Sequence, residues 1–296
     1  MCGIIGYCGK NSNASSVIFG DLKRMEYRGY DSSGIAMISG GKMIIRKGTG
    51  KLDEVNRQYK LDKIPGRVGI GHTRWATHGG VTQPNSHPHA DCTGQIAVIH
   101  NGIIDNYQEL RKDLVKRGHH FSSQTDTEVI PHKIEDEMKK GHSLEEAVLA
   151  IAPRLQGSYA FLAVSTKEPG KIVGTRKGSP LVVGRGEKKT YAASDSMALA
   201  GQINELFLLG EGEVAVLTAD NAVFYDSTGR EIRKKAMKPD AVWSENDKGN
   251  YDYFMLKEIM EQPKSLLAAA LQDREVFTSV ALDILRAGQV IVTACG

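Results

Sequence analysis

The chain reads as an α+β protein: two β-sheets stacked face to face, with helices covering their outer surfaces. The order of its segments points there, since strands come first, then a run of helices, then strands again. So does the stretch at residues 2–9, Cys-Gly-Ile-Ile-Gly-Tyr-Cys-Gly, an apolar run bounded by glycine that reads as a buried strand. With 41% hydrophobic and 25% charged residues, the chain has the composition of a soluble protein able to bury a sizeable core.

After that first strand, Val17, Ile18, Leu22 and Met25 recur at helical spacing between Ser12 and Tyr27, and Gly29 stops the segment. Residues 33–39 and 42–47 form two β-rich runs around Gly40-Gly41, a hairpin signal. Residues 51–60 read as a weakly amphipathic helix and 67–73 as a strand. The loop from Arg74 to Asp91 is rich in His, Gly, Pro, Thr and Asn, and loops longer than roughly 12–15 residues in compact domains are commonly functional. A strand at 95–100 runs into Asn101-Gly102, and helices are expected over 105–117, 127–140 and 144–155. The last of these opens on a Ser143/Glu146 capping box. Short strands are expected at 159–165, 172–176, 181–184, 190–193, 213–217 and 222–225. Residues 233–239 read as a polar, basic linker, 253–271 and 276–286 as helices, and 289–296 as an apolar strand at which the chain is cut short.

Charge and cysteine usage exclude several classes. A formal net charge of +3, from 38 basic and 35 acidic residues without a long one-sign block, gives no sign of a nucleic-acid or membrane-surface partner. The run Arg233-Lys234-Lys235 reads as a solvated surface feature. Cysteines at 2, 8, 92 and 295 form neither a CxxC pair nor a disulfide framework, which fits a reducing cytoplasm. No export signal or apolar run long enough to span a membrane is present in the sequence. His72, His78, His87, His89, Asp91 and Cys92 fall in one region, but their spacing matches no metal-ligand pattern, so neither a metal nor a cofactor is expected.

The chemistry centres on Cys2. If Met1 is removed, which the small side chain at position 2 permits, one residue carries a thiol (pKa about 8.5) and an α-amine (about 7.7–8.0). Proton transfer between them is nearly thermoneutral, the condition for a nucleophile with its own base. A cysteine at position 2, taken alone, is more often an inert buried thiol, and the rest of the chain has to decide. Asn101-Gly102 offers a side-chain amide and an unobstructed N–H to a developing oxyanion, or is a plain turn. Arg74 has the fork to clamp a carboxylate. Trp75 beside it can serve the site or fill a core. Asp126 can hold an ammonium or cap a helix.

Several strings together resemble the class II glutamine amidotransferases, and more closely the glutaminase part of the glutamine:fructose-6-phosphate amidotransferases. They are residues 1–6 (Met-Cys-Gly-Ile-Ile-Gly), 22–32 (ending Glu-Tyr-Arg-Gly-Tyr-Asp-Ser), 71–79 (Gly-His-Thr-Arg-Trp-Ala-Thr-His-Gly), His87-Pro-His89, 99–106 (Ile-His-Asn-Gly-Ile-Ile-Asp-Asn) and Thr125-Asp-Thr-Glu128. The Glu-Tyr-Arg-Gly-Tyr-Asp-Ser string sets them apart from the phosphoribosylpyrophosphate amidotransferases. Residues 253–263 look like a linker to a sugar-isomerase domain.

This resemblance implies an N-terminal-nucleophile hydrolase fold in four αββα layers that acts on L-glutamine. It implies Cys2 as nucleophile, Asn101 and Gly102 as oxyanion hole, and Arg74, Thr77 and His78 on the α-carboxylate. Asp126 would hold the α-ammonium, Arg28 would support the Cys2 end, and Trp75 would cap the route by which ammonia leaves. The glutaminase domain is expected over 1–232, linker and helices over 233–288, and the first strand of a truncated isomerase domain over 289–296. The partner would be that absent isomerase domain. The full-length protein is expected to form homo-oligomers and this chain to be a monomer that hydrolyses glutamine without making hexosamine.

Overall fold

The computed structural model describes residues 2–11, 13–75, 79–239, 251, 254–271 and 274–291. The chain divides into two compact units, Met1–Glu245 and Asn246–Gly296.

The first unit holds two seven-stranded sheets. One contains β1 (Gly3–Gly9), β2 (Ser32–Ser39), β3 (Lys42–Thr49), β4 (Val68–Arg74), β9 (Val182–Gly186), β10 (Lys189–Ala193) and β11 (Glu205–Leu208), in the order β11-β9-β10-β1-β4-β2-β3. The other contains β5 (His89–Ala90), β6 (Ile96–Ile104), β7 (Gly157–Ser165), β8 (Lys171–Lys177), β12 (Val214–Thr218), β13 (Ala222–Tyr225) and β14 (Glu231–Ile232), in the order β14-β13-β12-β8-β7-β6-β5. Neighbouring strands pair antiparallel. Gly40 and Gly41, with φ of 56° and 73°, turn β2 into β3 as the sequence suggested.

Alternation along the strands explains why both sheets are buried on both faces. On β1, Ile4 points into the core between the sheets while Ile5 packs outward. On β6, Ala97 and Ile99 point between the sheets and Val98 outward; on β7, Leu162 and Phe161 divide the same way. Helices α1 (Ala14–Arg24) and α2 (Leu52–Tyr59) cover the first sheet, with Ile18, Leu22 and Val55 meeting Ile5, Ile35 and Met37. Helices α3 (Tyr107–Lys116), α4 (Val129–Lys139) and α5 (Leu144–Ile151) cover the second, where Leu114, Ile134 and Val148 meet Val98, Phe161 and Val173. Each fully buried large apolar side chain contributes roughly 1.5–3 kcal/mol. The capping box of α5 forms: Glu146 N–H donates to Ser143 Oγ at 3.3 Å, and Ser143 N–H to Glu146 Oε2 at 2.8 Å.

Several expectations need correction. Asn101-Gly102 does not end its strand: β6 continues to Ile104, and both residues pair with β7, opposite Ala160 and Tyr159. Strands β5, β11 and β14 were not anticipated, being two to four residues long and below the length at which alternation shows. Residues 233–239 are docked rather than free. Met237 exchanges backbone hydrogen bonds with Leu206, and Lys234 is ion-paired with Glu213 and largely covered, so the basic run is only partly solvated.

The second unit holds two helices, Phe254–Ala270 and Arg274–Arg286. Residues 289–291 are outside any strand, and 292–296, with most of the expected final strand, lie outside the described residues. No described helix is long and apolar enough to cross a membrane.

Candidate active site

Cys2 stands immediately before β1, next to the end of β4, because Gly3 pairs with Thr73. The Trp75 N–H donates to Cys2 Sγ at 3.1 Å. Burial raises the thiol pKa, while the Trp75 N–H and the positive charge of Arg74 oppose that rise. One cleft of about 400 Å³ opens here, lined by Cys2, Arg28, Arg74, Trp75, Asn101, Gly102 and Asp126, among others.

Each wall of this cleft has its own anchor. Asn101, on β6, donates from Nδ2 to the Cys2 carbonyl at 2.9 Å, while its Oδ1 lies 3.1 Å from His72 Nε2 on β4. The two sheets are therefore cross-linked at Cys2. Gly102 has φ 114°, and a Cβ there would lie 2.0 Å from Ser158 O, so no other residue fits this backbone. Arg74 is buried, and its guanidinium donates to the carbonyls of Gly80 (3.3 Å) and Gly79 (3.5 Å). Asp126 is no helix cap: its Oδ2 accepts the N–H of Ile104 at 2.8 Å, which ties the loop before α4 to the end of β6. Arg28 pairs with Asp195 at 2.7 Å, and Tyr27 donates to the same carboxylate oxygen. Trp75 is 45% exposed and packs edge-on against Tyr30, so it is not a core aromatic. Thr77 and His78 lie outside the described residues.

These seven sequence-derived residues thus share one cleft, supplied by both sheets, by the loops after β4 and before α4, and by the helical turn Glu26–Arg28 that follows α1. A family model described as a glutamine amidotransferase domain matches residues 72–201. The glutamine–fructose-6-phosphate aminotransferase (isomerizing) of Methanothermobacter thermautotrophicus is 45% identical over 100% of this chain and 50% of its own length. The enzyme of the same name from Pyrococcus horikoshii is 43% identical over the same shares. The chain carries a glutamine amidotransferase domain. It spans about half the length of the curated relatives it matches. The glutamine phosphoribosylpyrophosphate amidotransferase structure from B. subtilis superimposes with a TM-score of 0.67 at 26% identity, covering 78% of this chain and 50% of that one. The fold is the N-terminal-nucleophile hydrolase sandwich, αββα, that the amidotransferase resemblance implied.

Sequence reading missed the layer beneath the cleft. His72 and His87 stack at 4.1 Å, and His87 meets His89 edge-on at 4.7 Å. His87 uses both ring nitrogens, Nδ1 accepting the His100 N–H at 3.3 Å and Nε2 lying 3.3 Å from Thr127 Oγ1; His89 Nε2 lies 3.1 Å from Thr125 Oγ1, and His100 Nδ1 2.8 Å from Thr127 Oγ1. Burial lowers the pKa of all four histidines, that of His72 to about 3, so they are neutral spacers in a hydrogen-bonded lattice. Lys47 Nζ closes the lattice from β3, donating to the carbonyls of Ser86 (2.6 Å) and Pro88 (3.0 Å). Asp91, weighed with these histidines as a ligand, instead accepts the N–H of Ile96 at 2.8 Å and caps its own turn. The His87-Pro-His89 string marked this layer in the sequence. Its partners Thr125 and Thr127 were quoted there only as part of a motif.

Proposed function

We propose that this chain is a glutaminase: it cleaves the side-chain amide of L-glutamine through a γ-glutamyl thioester on Cys2. The reading is carried by the single cleft that Cys2, Asn101, Gly102, Arg74 and Asp126 all line. With Met1 removed, the Cys2 amine takes the thiol proton as Sγ attacks the amide carbon. The oxyanion is met by the second Nδ2 proton of Asn101 and the N–H of Gly102. The amine then returns the proton to the departing nitrogen, releasing ammonia, and water hydrolyses the thioester to glutamate. Arg74, with Thr77 and His78, holds the α-carboxylate, and Asp126 the α-ammonium. Arg28 steadies the Cys2 end through Asp195, and Trp75 covers the exit of ammonia.

The relatives are named for glutamine and fructose 6-phosphate. That supports reading the ammonia as the supply for glucosamine 6-phosphate formation by a sugar-isomerase domain, with this chain alone yielding only glutamate and ammonia. Residues 1–232 form the glutaminase, and 233–288 lead toward the isomerase. The setting is the cytoplasm, and the chain by itself is a monomer. The test is labelling with a glutamine-mimicking electrophile followed by peptide mapping. Modification confined to Cys2, and lost when one unremovable residue precedes it, is the expected result; reaction at Cys8 or Cys92 overturns the assignment.

A further inference from the structure

A second cluster of donor atoms lies outside the cleft. It is assembled from the turn after β5 (Cys92), the segment after α3 (His119) and one face of α4 (His132 and Glu135, one helical turn apart). Cys92 Sγ is 3.5 Å from His119 Nδ1 and 3.5 Å from His132 Nδ1. Glu135 Oε2 is 3.2 Å from His119 Nδ1 and 3.6 Å from His132 Nδ1. All four donor atoms lie within 4.8 Å of one another. With metal–ligand bonds of about 2.0–2.3 Å, a tetrahedral zinc site has donor–donor edges of roughly 3.3–3.8 Å, a range that holds three of these four spacings, the His119–Glu135 contact at 3.2 Å being slightly shorter.

The partners around the cluster leave acceptor atoms facing one another, an arrangement a cation at the centre would satisfy. His119 Nε2 lies 2.8 Å from Asp136 Oδ1. A carboxylate only accepts, so Nε2 carries a proton, while Nδ1 faces the Glu135 oxygen and the Cys92 sulfur, where either a second ring proton or a bound cation satisfies all three atoms. Lys139 Nζ takes the other Glu135 oxygen, Oε1, at 2.6 Å, while Oε2, which accepts the Cys92 N–H at 3.3 Å, faces the cluster with its remaining lone pair. The His120 N–H donates to Cys92 Sγ at 3.4 Å, the kind of contact that steadies a thiolate. Asp136 behind His119 is the outer carboxylate that orients metal-bound histidines. One thiolate and one carboxylate balance a divalent charge. His119, His132 and Glu135 are buried, and Cys92 is exposed, open to an incoming ion.

We propose that Cys92, His119, His132 and Glu135 bind one divalent metal ion, zinc by the chemistry of their donors. Four protein ligands leave no open position, so the site is structural. His119 and His132 flank the segment carrying Thr125, Asp126 and Thr127, and the ion pins both ends of it. The spacing 92–119–132–135 is too dispersed for a motif search, and only the folded chain joins it.

The test uses untagged protein with Cys2→Ser and Cys295→Ser, so that Cys92 is the one accessible thiol among the described residues. After exposure to zinc and gel filtration, about one zinc per chain is expected. Cobalt in its place gives a thiolate-to-metal absorption band that Cys92→Ser removes. Zinc slows alkylation of Cys92 at least about tenfold, a readout that needs no variant of the site. Asp136→Asn weakens zinc binding by about 10–100-fold with the four ligands intact. Zinc content under about a tenth of an equivalent, or equal alkylation rates with and without zinc, overturns the proposal; a protonated His119 between two carboxylates then explains the cluster.

Discussion

Asn101 Nδ2 donates to the carbonyl of Cys2 at 2.9 Å, joining residues 99 positions apart on opposite sheets. His72 Nε2, 3.1 Å from Asn101 Oδ1, fixes which end of the amide faces Cys2. An amide nitrogen has two protons, so one can hold the nucleophile's backbone while the other stabilises an oxyanion. Asn101→Ala is therefore expected to lower kcat for glutamine hydrolysis by about 10²–10³, with KM changed less than about threefold. Steady-state glutamate release measures this. An unchanged kcat would remove Asn101 from the reaction.

Asp126 separates recognition from chemistry. Asp126→Asn retains an oxygen for the Ile104 N–H, so the loop before α4 keeps its anchor while the negative charge goes. KM for glutamine should rise at least about tenfold with kcat within about threefold, because a substrate ammonium loses its counter-charge in a partly desolvated cleft. A substrate series lacking the α-amine gives the check: for those compounds the variant and the parent should match.

The ends of this site were more legible than its middle. Cys2, Arg74 and Asp126 stand out because each pairs a distinctive functional group with a place in the chain where that group is uncommon or exposed to choice. The four-layer fold was legible because Ile4 and Ile5, or Phe161 and Leu162, are both apolar although they face opposite ways. Asn101-Gly102 misled, since a local turn signal and a strand bent by a positive-φ glycine look alike until β7 pairs with it. The histidine lattice and the Cys92 cluster depend on contacts between residues tens of positions apart, which periodicity cannot register. Thr77 and His78, read from the same loop as Arg74, lie outside the described residues.

Gly102→Ala tests the geometry while keeping the backbone N–H assigned to the oxyanion. At φ 114°, with Ser158 O 2.0 Å from a Cβ position, Gly102→Ala must displace the β6–β7 pairing beside Asn101. A loss of about 2–4 kcal/mol in unfolding free energy is expected, together with loss of turnover. Thermal and urea unfolding measure the first, and glutamate release the second. A variant of parental stability would show that the strand relaxes there.

Acid should loosen the fold before it reaches ordinary carboxylates. Burial lowers the pKa of His72 to about 3 and holds His87, His89 and His100 below the 6.5 of a free histidine. Below that value the unfolded chain takes up protons that the folded chain refuses, so their contribution is whole above pH 6.5 and drains away as pH falls. Asp21 works the other way: burial lifts its carboxyl from 3.8 to about 7, so the folded state keeps a proton across the same window and cancels about one of the four. The unfolded chain therefore binds more protons than the folded one, and stability falls as pH falls where the histidines titrate. Burial pushes Glu128 up, but the His132 ring 3.9 Å away and hydrogen bonds from Ser123 and Ser122 pull it from 4.5 down to about 2, so its contribution is lost in the same direction at lower pH. Urea midpoints should therefore fall steeply between about pH 6.5 and 5, and His72→Gln should flatten the slope by about one proton. A midpoint that stays level across that interval would mean the buried rings are charged in the folded protein.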